Sequence, residues 1–251
     1  MKIVIIGGTG LIGTQLGALL QQRGHTVVAA APSTGVNTLT GQGLDAAMQG
    51  AQVVVDASNS PSFEAEAVMR FFETSTRNIT RAAAAAGVTH GVALSIVGVD
   101  QPPGNAYFHA KLAQERLLRE SGLPYTIVRA TQFHEFIGTI ADSYTRDGVV
   151  HAPSAGIQTI ASADVASALA DTALGAPLNG WREIGGPQRM GIDALLRDYL
   201  AALGDPRTVR TDDSAGYFGA PVRASTLQTR EGAWIAPTPW QAWLARSTQT
   251  A

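Results

Sequence analysis

The sequence predicts an α/β fold: a doubly wound parallel sheet with a small C-terminal substrate lobe. Three observations predict it. Short apolar, β-branched runs alternate with helical stretches over the first 130 residues, the pattern of buried parallel strands joined by crossover helices. The first run ends in a glycine cluster that opens the next helix. The totals, 45% hydrophobic and 15% charged over 251 residues, suit a globular chain that buries a large core without staples.

The elements follow in order. "KIVII" (2–6) ends in glycine and reads as a buried strand. A helix runs from Leu11 to Arg23, with Gly24 as its left-handed stop. "HTVVAAA" (25–31) and "AQVVVDAS" (51–58) are the second and third strands. A long helix covers about 62–86 and stops at Gly87. "HGVALSIVG" (90–98) is the fourth strand. A helix then runs from its cap Asn105 to Gly122, and "PYTIVRA" (124–130) is the fifth strand. Beyond 130 the pattern loosens to helices at 162–176, with Ser162 as cap, and 191–204. The rest reads as short strands and loops, with Trp234, Trp240 and Trp243 in the tail.

Composition excludes several classes of function. A net charge of −2 gives no basic field for nucleic acid or an anionic membrane surface. With no cysteine there are no disulfides, thiolate nucleophiles or cysteine metal sites. No ligand spacing such as H-E-x-x-H occurs, so no metal is expected. No apolar run reaches the roughly 18 residues of a membrane span. The start of the chain reads as mature structure, its glycines falling where a nucleotide loop needs them. We expect a cytoplasmic protein.

The first turn, Gly7-Gly8-Thr9-Gly10-Leu11-Ile12-Gly13, carries G-x-G-x-x-G between a strand and a helix. Glycines let the backbone turn tightly and approach a pyrophosphate, whose charge meets the helix N-terminus. Gly7, Thr9, Gly10, Leu11, Ile12 and Gly13 are therefore candidate contacts to a dinucleotide, and Ala57 and Ser58 close the third strand beside them. We expect one domain over 1–251, with a dinucleotide-binding Rossmann core at 1–130. Residues 131–251 then add completing helices and strands and the substrate-binding lobe. After the second strand an acid would favour NAD and an arginine NADP, but Ala30-Ala31-Pro32-Ser33-Thr34-Gly35 has neither. With no carboxylate to repel a 2′-phosphate, Ser33 and Thr34 are candidate donors to it, or else residues that only shape a turn. The cofactor expected is NADP(H), with NAD(H) as the alternative.

"NAYFHAK" places Tyr107 four residues before Lys111, on one helix face. The chain has two lysines, Lys2 and Lys111, so a tyrosine at that offset from Lys111 is roughly a 2% coincidence (5 in 251). Ser95 ends the fourth strand and is expected to point into the crevice at the carboxyl edge. The ammonium should lower the phenol's pKa, letting Tyr107 give a proton to a carbonyl oxygen while Ser95 holds that oxygen.

Together these residues resemble the short-chain dehydrogenase/reductase superfamily: glycine loop, Ser95 and Tyr107-x-x-x-Lys111 in order, with serine twelve before tyrosine. "GGTGLIG", "TSTRNITRAAAAAGVTHGVALSIVG", "KLAQERLLRESGLPYTIVRATQF" and "IASADVASALADTAL" are similar to segments of its atypical, NmrA-like branch. The resemblance implies that Ser95, Tyr107 and Lys111 are catalytic, with Lys111 also on the nicotinamide ribose and Phe133 near nicotinamide and substrate. The sequence departs from the branch at Pro32-Ser33, where a basic residue is common, and at Arg129-Ala130-Thr131, where R-P-G is common.

His134 follows Phe133 and is a candidate lining residue of the substrate pocket. Tyr144, Trp181, Tyr217 and Phe218 either wall an apolar pocket or pack within the lobe, and Tyr144 is taken as a substrate contact. Asn78 reads as helix packing. The expected activity is NAD(P)-dependent interconversion of a carbonyl and an alcohol on a small, fairly apolar compound. Its partners are that substrate and no nucleic acid or membrane, in a monomer or homodimer. The alternatives are a non-catalytic NADP(H) redox sensor that binds a partner protein, and a nucleotide-sugar epimerase or dehydratase.

Overall fold

The apolar runs of the sequence become the strands, and the periodic stretches become the helices that cover them. The computed structural model describes residues 1–101 and 104–247. Its first half runs β1 (Lys2–Ile6), α1 (Leu11–Gln22), β2 (Thr26–Ala30), α2 (Leu44–Met48), β3 (Val53–Asp56), α3 (Ala65–Ala85), β4 (His90–Ile96), α4 (Ala106–Glu120) and β5 (Tyr125–Ala130). Its second half runs α5 (Ile137–Ser143), β6 (Thr145–Arg146), β7 (Val149–Ala152), β8 (Gly156–Ile157), α6 (Ser162–Leu174), β9 (Gly180–Gly185), β10 (Met190–Gly191), α7 (Ile192–Leu203), β11 (Thr208–Thr211), β12 (Trp234–Ile235) and α8 (Trp240–Ser247). The central sheet is parallel, in the order β12-β9-β5-β4-β3-β1-β2. This is a Rossmann-type arrangement.

Alternation along each strand splits the sheet's two faces. Ile3, Ile5, Val55, Val92 and Val128 pack with Leu16 and Leu20 of α1 and Val165 and Leu169 of α6. Val4, Ile6, Val54, Ala93 and Ile127 pack on the other face with Ile79 and Ala83 of α3 and Leu118 of α4. Each fully buried Val, Leu or Ile side chain among them contributes roughly 1.5–3 kcal/mol. A third apolar cluster joins α5, α7, α8 and β7 beyond the sheet and holds Tyr144, Tyr217 and Trp240. Two small sheets, β11-β7-β6 and β10-β8, complete that region.

β9, at Gly180–Gly185, is one of the short strands expected between the two late helices, and it extends the central sheet beside β5. "GWREIG" offers no apolar alternation, because Arg182 and Glu183 interrupt it. Glu183 is nevertheless buried, and its carboxylate accepts the Arg230 backbone N–H at 2.6 Å. Ser162 differs from its expected role as cap. It is the first helical residue of α6, Ala161 holds the cap position, and the Ser162 N–H and hydroxyl donate to Glu135 instead. Among the described residues no helix is long and apolar enough to cross a membrane.

Candidate active site

The glycine loop is built around its own backbone. Gly7 lies at φ +75°, and its N–H donates to the Ala30 carbonyl at 2.9 Å. A Cβ at Gly7 would stand 2.8 Å from Ser58 Cα, and one at Gly8 2.6 Å from Ala29 Cα. One at Gly13 would run into the Gly7 carbonyl and lie 2.6 Å from Gly8 Cα. Gly10 caps α1 with no side chain, so the first-turn N–H groups of Leu11, Ile12 and Gly13 carry no side-chain cap. Thr9, Gly10 and Leu11 are exposed in front of them. A bare turn at a helix N-terminus fits a pyrophosphate.

Where β2 ends, the Thr34 hydroxyl accepts from the Ala31 N–H at 2.9 Å and donates to the Ala29 carbonyl at 2.8 Å. Thr34 therefore shapes the turn, while Ser33 is exposed. At the end of β3, Ala57 packs at the edge of the apolar core. Ser58 folds back, its N–H and hydroxyl donating to Asp56 Oδ1 at 3.0 and 2.6 Å.

Lys111 lies on the buried side of α4. That helix starts at Asn105, whose side chain accepts from the Phe108 N–H at 3.0 Å, and buries Phe108, Lys111, Gln114, Glu115 and Leu118. Lys111 is 3% exposed. Its ammonium donates to the Leu94 carbonyl at 2.7 Å and to Gln114 Oε1, and lies 4.4 Å above the Phe72 ring. Gln114 passes the contact on, its amide donating to Asp56 Oδ2 at 2.8 Å. Burial pulls the Lys111 pKa down to about 8, against the raising pull of Asp56 and Glu115.

Tyr107 shares that helix face. Its ring packs edge-on against Phe72 at 6.0 Å and tilted against Phe63 at 5.8 Å. Burial pushes its pKa up to about 12. The expectation of a phenol lowered by the ammonium is thereby corrected: desolvation dominates, and Lys111 spends its hydrogen bonds on Leu94 and Gln114. Tyr107 is a neutral phenol at physiological pH.

Ser95 does not join the pair. Strand alternation turns it to the α4 face, where its hydroxyl donates to Glu115 Oε1 at 2.6 Å. Ile96, one residue on, packs into the same cluster as Tyr107. Ser95 instead belongs to a row set by register, Ser95–Arg129–Glu183 across β4, β5 and β9. Arg129 grips Glu115 with two N–H groups at 2.9 and 2.7 Å and reaches Asp100 at 2.8 Å.

The lobe residues separate. Phe133 stacks on Phe136 at 5.7 Å and packs at the edge of the core. His134 is 1% exposed and lies between Trp240 and Trp243, so it is a packing residue rather than an open lining one. Tyr144 and Tyr217 share a cluster with Tyr107. Asn78 packs, its amide donating to the Thr38 carbonyl at 2.8 Å. His109 is exposed.

A family described as NAD(P)H-binding matches residues 7–174. The chain belongs to that family. A curated relative from Streptomyces griseus, "(4-alkanoyl-5-oxo-2,5-dihydrofuran-3-yl)methyl phosphate reductase", is 29% identical over 163 residues, covering 60% of this chain and 54% of the relative. The chain spans about half the length of the curated relatives it matches. A short-chain dehydrogenase/reductase superfamily protein from Agrobacterium tumefaciens, solved with NAD bound, superposes with a TM-score of 0.75 at 18% identity, covering 99% of this chain and 96% of that one. UDP-N-acetylglucosamine 4-epimerase from Bacillus cereus gives 0.77 at 14%, covering 100% and 99%. At these identities the likeness is one of fold.

Three residues of this NAD(P)H-binding chain are not picked out by sequence reasoning. Gln114 is three residues after Lys111 on the same face, and Asp56 is an acid ending a parallel strand, so both carry a spacing signal. Gln132 carries none, being one polar residue in the irregular segment after β5.

Proposed function

We propose that the chain is an NAD(P)H-dependent oxidoreductase that interconverts a carbonyl and an alcohol on a small, fairly apolar substrate, with Tyr107 as the proton donor. One observation carries the reading. Tyr107 and Lys111 converge on Phe72 from one face of α4, and Lys111 is fixed to the carboxyl end of β4 through the Leu94 carbonyl. The glycine loop and the first turn of α1 would hold the dinucleotide's phosphates, and Lys111 its nicotinamide ribose. When bound, the cofactor supplies the hydride. Tyr107, protonated at neutral pH, donates its proton to the substrate oxygen from a ring packed on Phe63 and Phe72. Lys111 keeps a positive charge near the developing phenolate. Residues 29–36 contain no acid, which supports a preference for NADP(H). The named activity of the Streptomyces relative, a reductase, supports an oxidoreductase.

The test is a screen of ketones, aldehydes and quinones for NADPH and NADH oxidation, repeated with Tyr107→Phe. We expect NADPH to bind more tightly than NADH. The variant should lose roughly 10²–10⁴-fold in kcat with nucleotide affinity unchanged, as removal of a general acid requires. Undiminished turnover would remove Tyr107 from the chemistry.

A second reading is a nucleotide-binding protein without turnover. The observation that favours it is Ser95, whose hydroxyl is committed to Glu115 and does not complete a Ser–Tyr–Lys set. Tight, redox-selective nucleotide binding with no carbonyl turned over by the wild type would support it.

A further inference from the structure

Around Tyr217, on which both Tyr107 and Tyr144 act, lie buried polar atoms without a hydrogen-bond partner. Tyr144 is 7% exposed and Gln132 6%, yet the Tyr144 hydroxyl and both amide atoms of Gln132 lack a hydrogen-bond partner. Buried polar groups are nearly always satisfied, so these orphans leave donors and acceptors open to a partner from outside. Tyr217, also 7% exposed, brings a third phenol into the cluster that holds Tyr107 and Tyr144. Its hydroxyl approaches the Gln132 amide without a well-formed hydrogen bond.

A tight turn sets Tyr217 in place, with paired backbone hydrogen bonds to Ala220 at 2.7 and 3.1 Å. Phe218 in that turn sits at φ +45°, a conformation rare for a bulky residue and typical of functional loops. Phe218 is 45% exposed and packs edge-on against Tyr217 at 4.8 Å. Phe63 is 66% exposed and packs on Tyr107. The two phenols thus carry apolar, solvent-facing rings, while the atoms beneath them are polar and uncharged.

We propose that Gln132, Tyr144 and Tyr217 form a subsite for a second, uncharged oxygen function of the substrate, a hydroxyl or carbonyl, beside the carbonyl that meets Tyr107. The proposal rests on the reading that Tyr107 faces the reacting oxygen. It narrows the substrate class to compounds with an apolar body and two neutral oxygen functions. Phenols and an amide can donate to and accept from such groups, but they offer no cation to a carboxylate or phosphate. Burial holds Tyr144 and Tyr217 well above the usual phenol range, so both stay neutral donors, and the groups acting on Tyr217 include no cation.

The test uses calorimetry on the protein loaded with NADP⁺, so that binding is read without turnover. Four probes share one skeleton: 4-phenylbutan-2-one, 4-hydroxy-4-phenylbutan-2-one, 1-phenylbutane-1,3-dione and the acid 2-oxo-4-phenylbutanoate. We expect at least one dioxygenated neutral probe to bind tenfold or more tightly than the mono-ketone, and the acid to gain nothing. Tyr144→Phe and Gln132→Leu should each cut that preference below threefold. Tyr144→Phe removes a single unbonded oxygen and leaves the ring's packing intact, so a stable variant is expected. Absence of the preference in the wild type, its survival in both variants, or no binding of any probe would overturn the subsite. Tyr107→Phe separates the two claims: it should keep the preference and lose turnover. Undiminished turnover with the preference intact would sink the acid role of Tyr107 and spare the subsite.

Discussion

At His134 the imidazole lies between the indoles of Trp240 and Trp243, with ring centres 5.2 and 5.3 Å away. Burial pulls its pKa down to about 4, outweighing the raising pull of the Thr238 backbone. The unfolded chain regains the ordinary value of 6.5. Below pH 6.5 the unfolded state therefore binds the proton that the folded state refuses, and stability falls with pH until both forms are charged near pH 4. Those two values predict a loss of about 2 kcal/mol between pH 7 and pH 5, and up to about 3 kcal/mol by pH 4. His134→Phe keeps an aromatic ring in the stack and has no proton to take up. Urea denaturation at pH 7 and pH 5 should show the variant losing about 2 kcal/mol less than the wild type over that interval. Equal losses would mean that His134 is not what senses acid.

The loop between β1 and α1 and the end of α1 both use glycine, for different reasons. At Gly24, φ is +81° and an added Cβ would have nothing within 4 Å, so the requirement is purely conformational. At Gly13 the requirement is space, because a Cβ would run into Gly7 and Gly8. Gly24→Ala should lower stability by about 1 kcal/mol and leave NADPH affinity unchanged. Gly13→Ala must push the loop open, and should lower NADPH affinity at least tenfold by titration. Equal effects on binding would show that the loop is not the phosphate cradle. This contrast explains why the loop and the helix ends were legible in the sequence. A glycine after a strand and a glycine after a helix have local causes, and so do the Asn105 cap and the spacing of Tyr107 and Lys111. Which way Ser95 points was not local. It depended on the alternation of β4 and on Glu115 waiting twenty residues on, across α4. Nor were Tyr107 and Gln132 legible as neighbours of Tyr217, since irregular segments carry no period from which to read their facing.

Across the whole molecule, one chain of charges ties the nucleotide half to the tail. Glu115 of α4 holds Arg129 of β5, Arg129 reaches Asp100, Asp100 takes an N–H of Arg230 at 2.8 Å, and the Arg230 backbone N–H donates to Glu183 of β9. Trp181 carries both guanidiniums on its ring, at 4.5 and 5.2 Å. The two ends of this chain differ in solvent. Glu115 and Arg129 side chains are 1% and 3% exposed, whereas that of Arg230 is 46% exposed. Arg129→Met strands a carboxylate in a dry interior and should cost about 3–5 kcal/mol. Arg230→Ala trims a half-exposed side chain 3.8 Å from Glu183, whose hydrogen bond from the Arg230 backbone N–H survives, and should cost about 1 kcal/mol. Hydrogen exchange should still rise in the segment around Arg230, since its tether to Asp100 is gone. The double variant Glu115→Leu with Arg129→Met removes both buried charges and should recover at least about 2 kcal/mol relative to Arg129→Met alone. If the double variant is instead less stable than Arg129→Met, the attraction within the pair, rather than the penalty of an orphaned charge, is what holds this part of the sheet to α4.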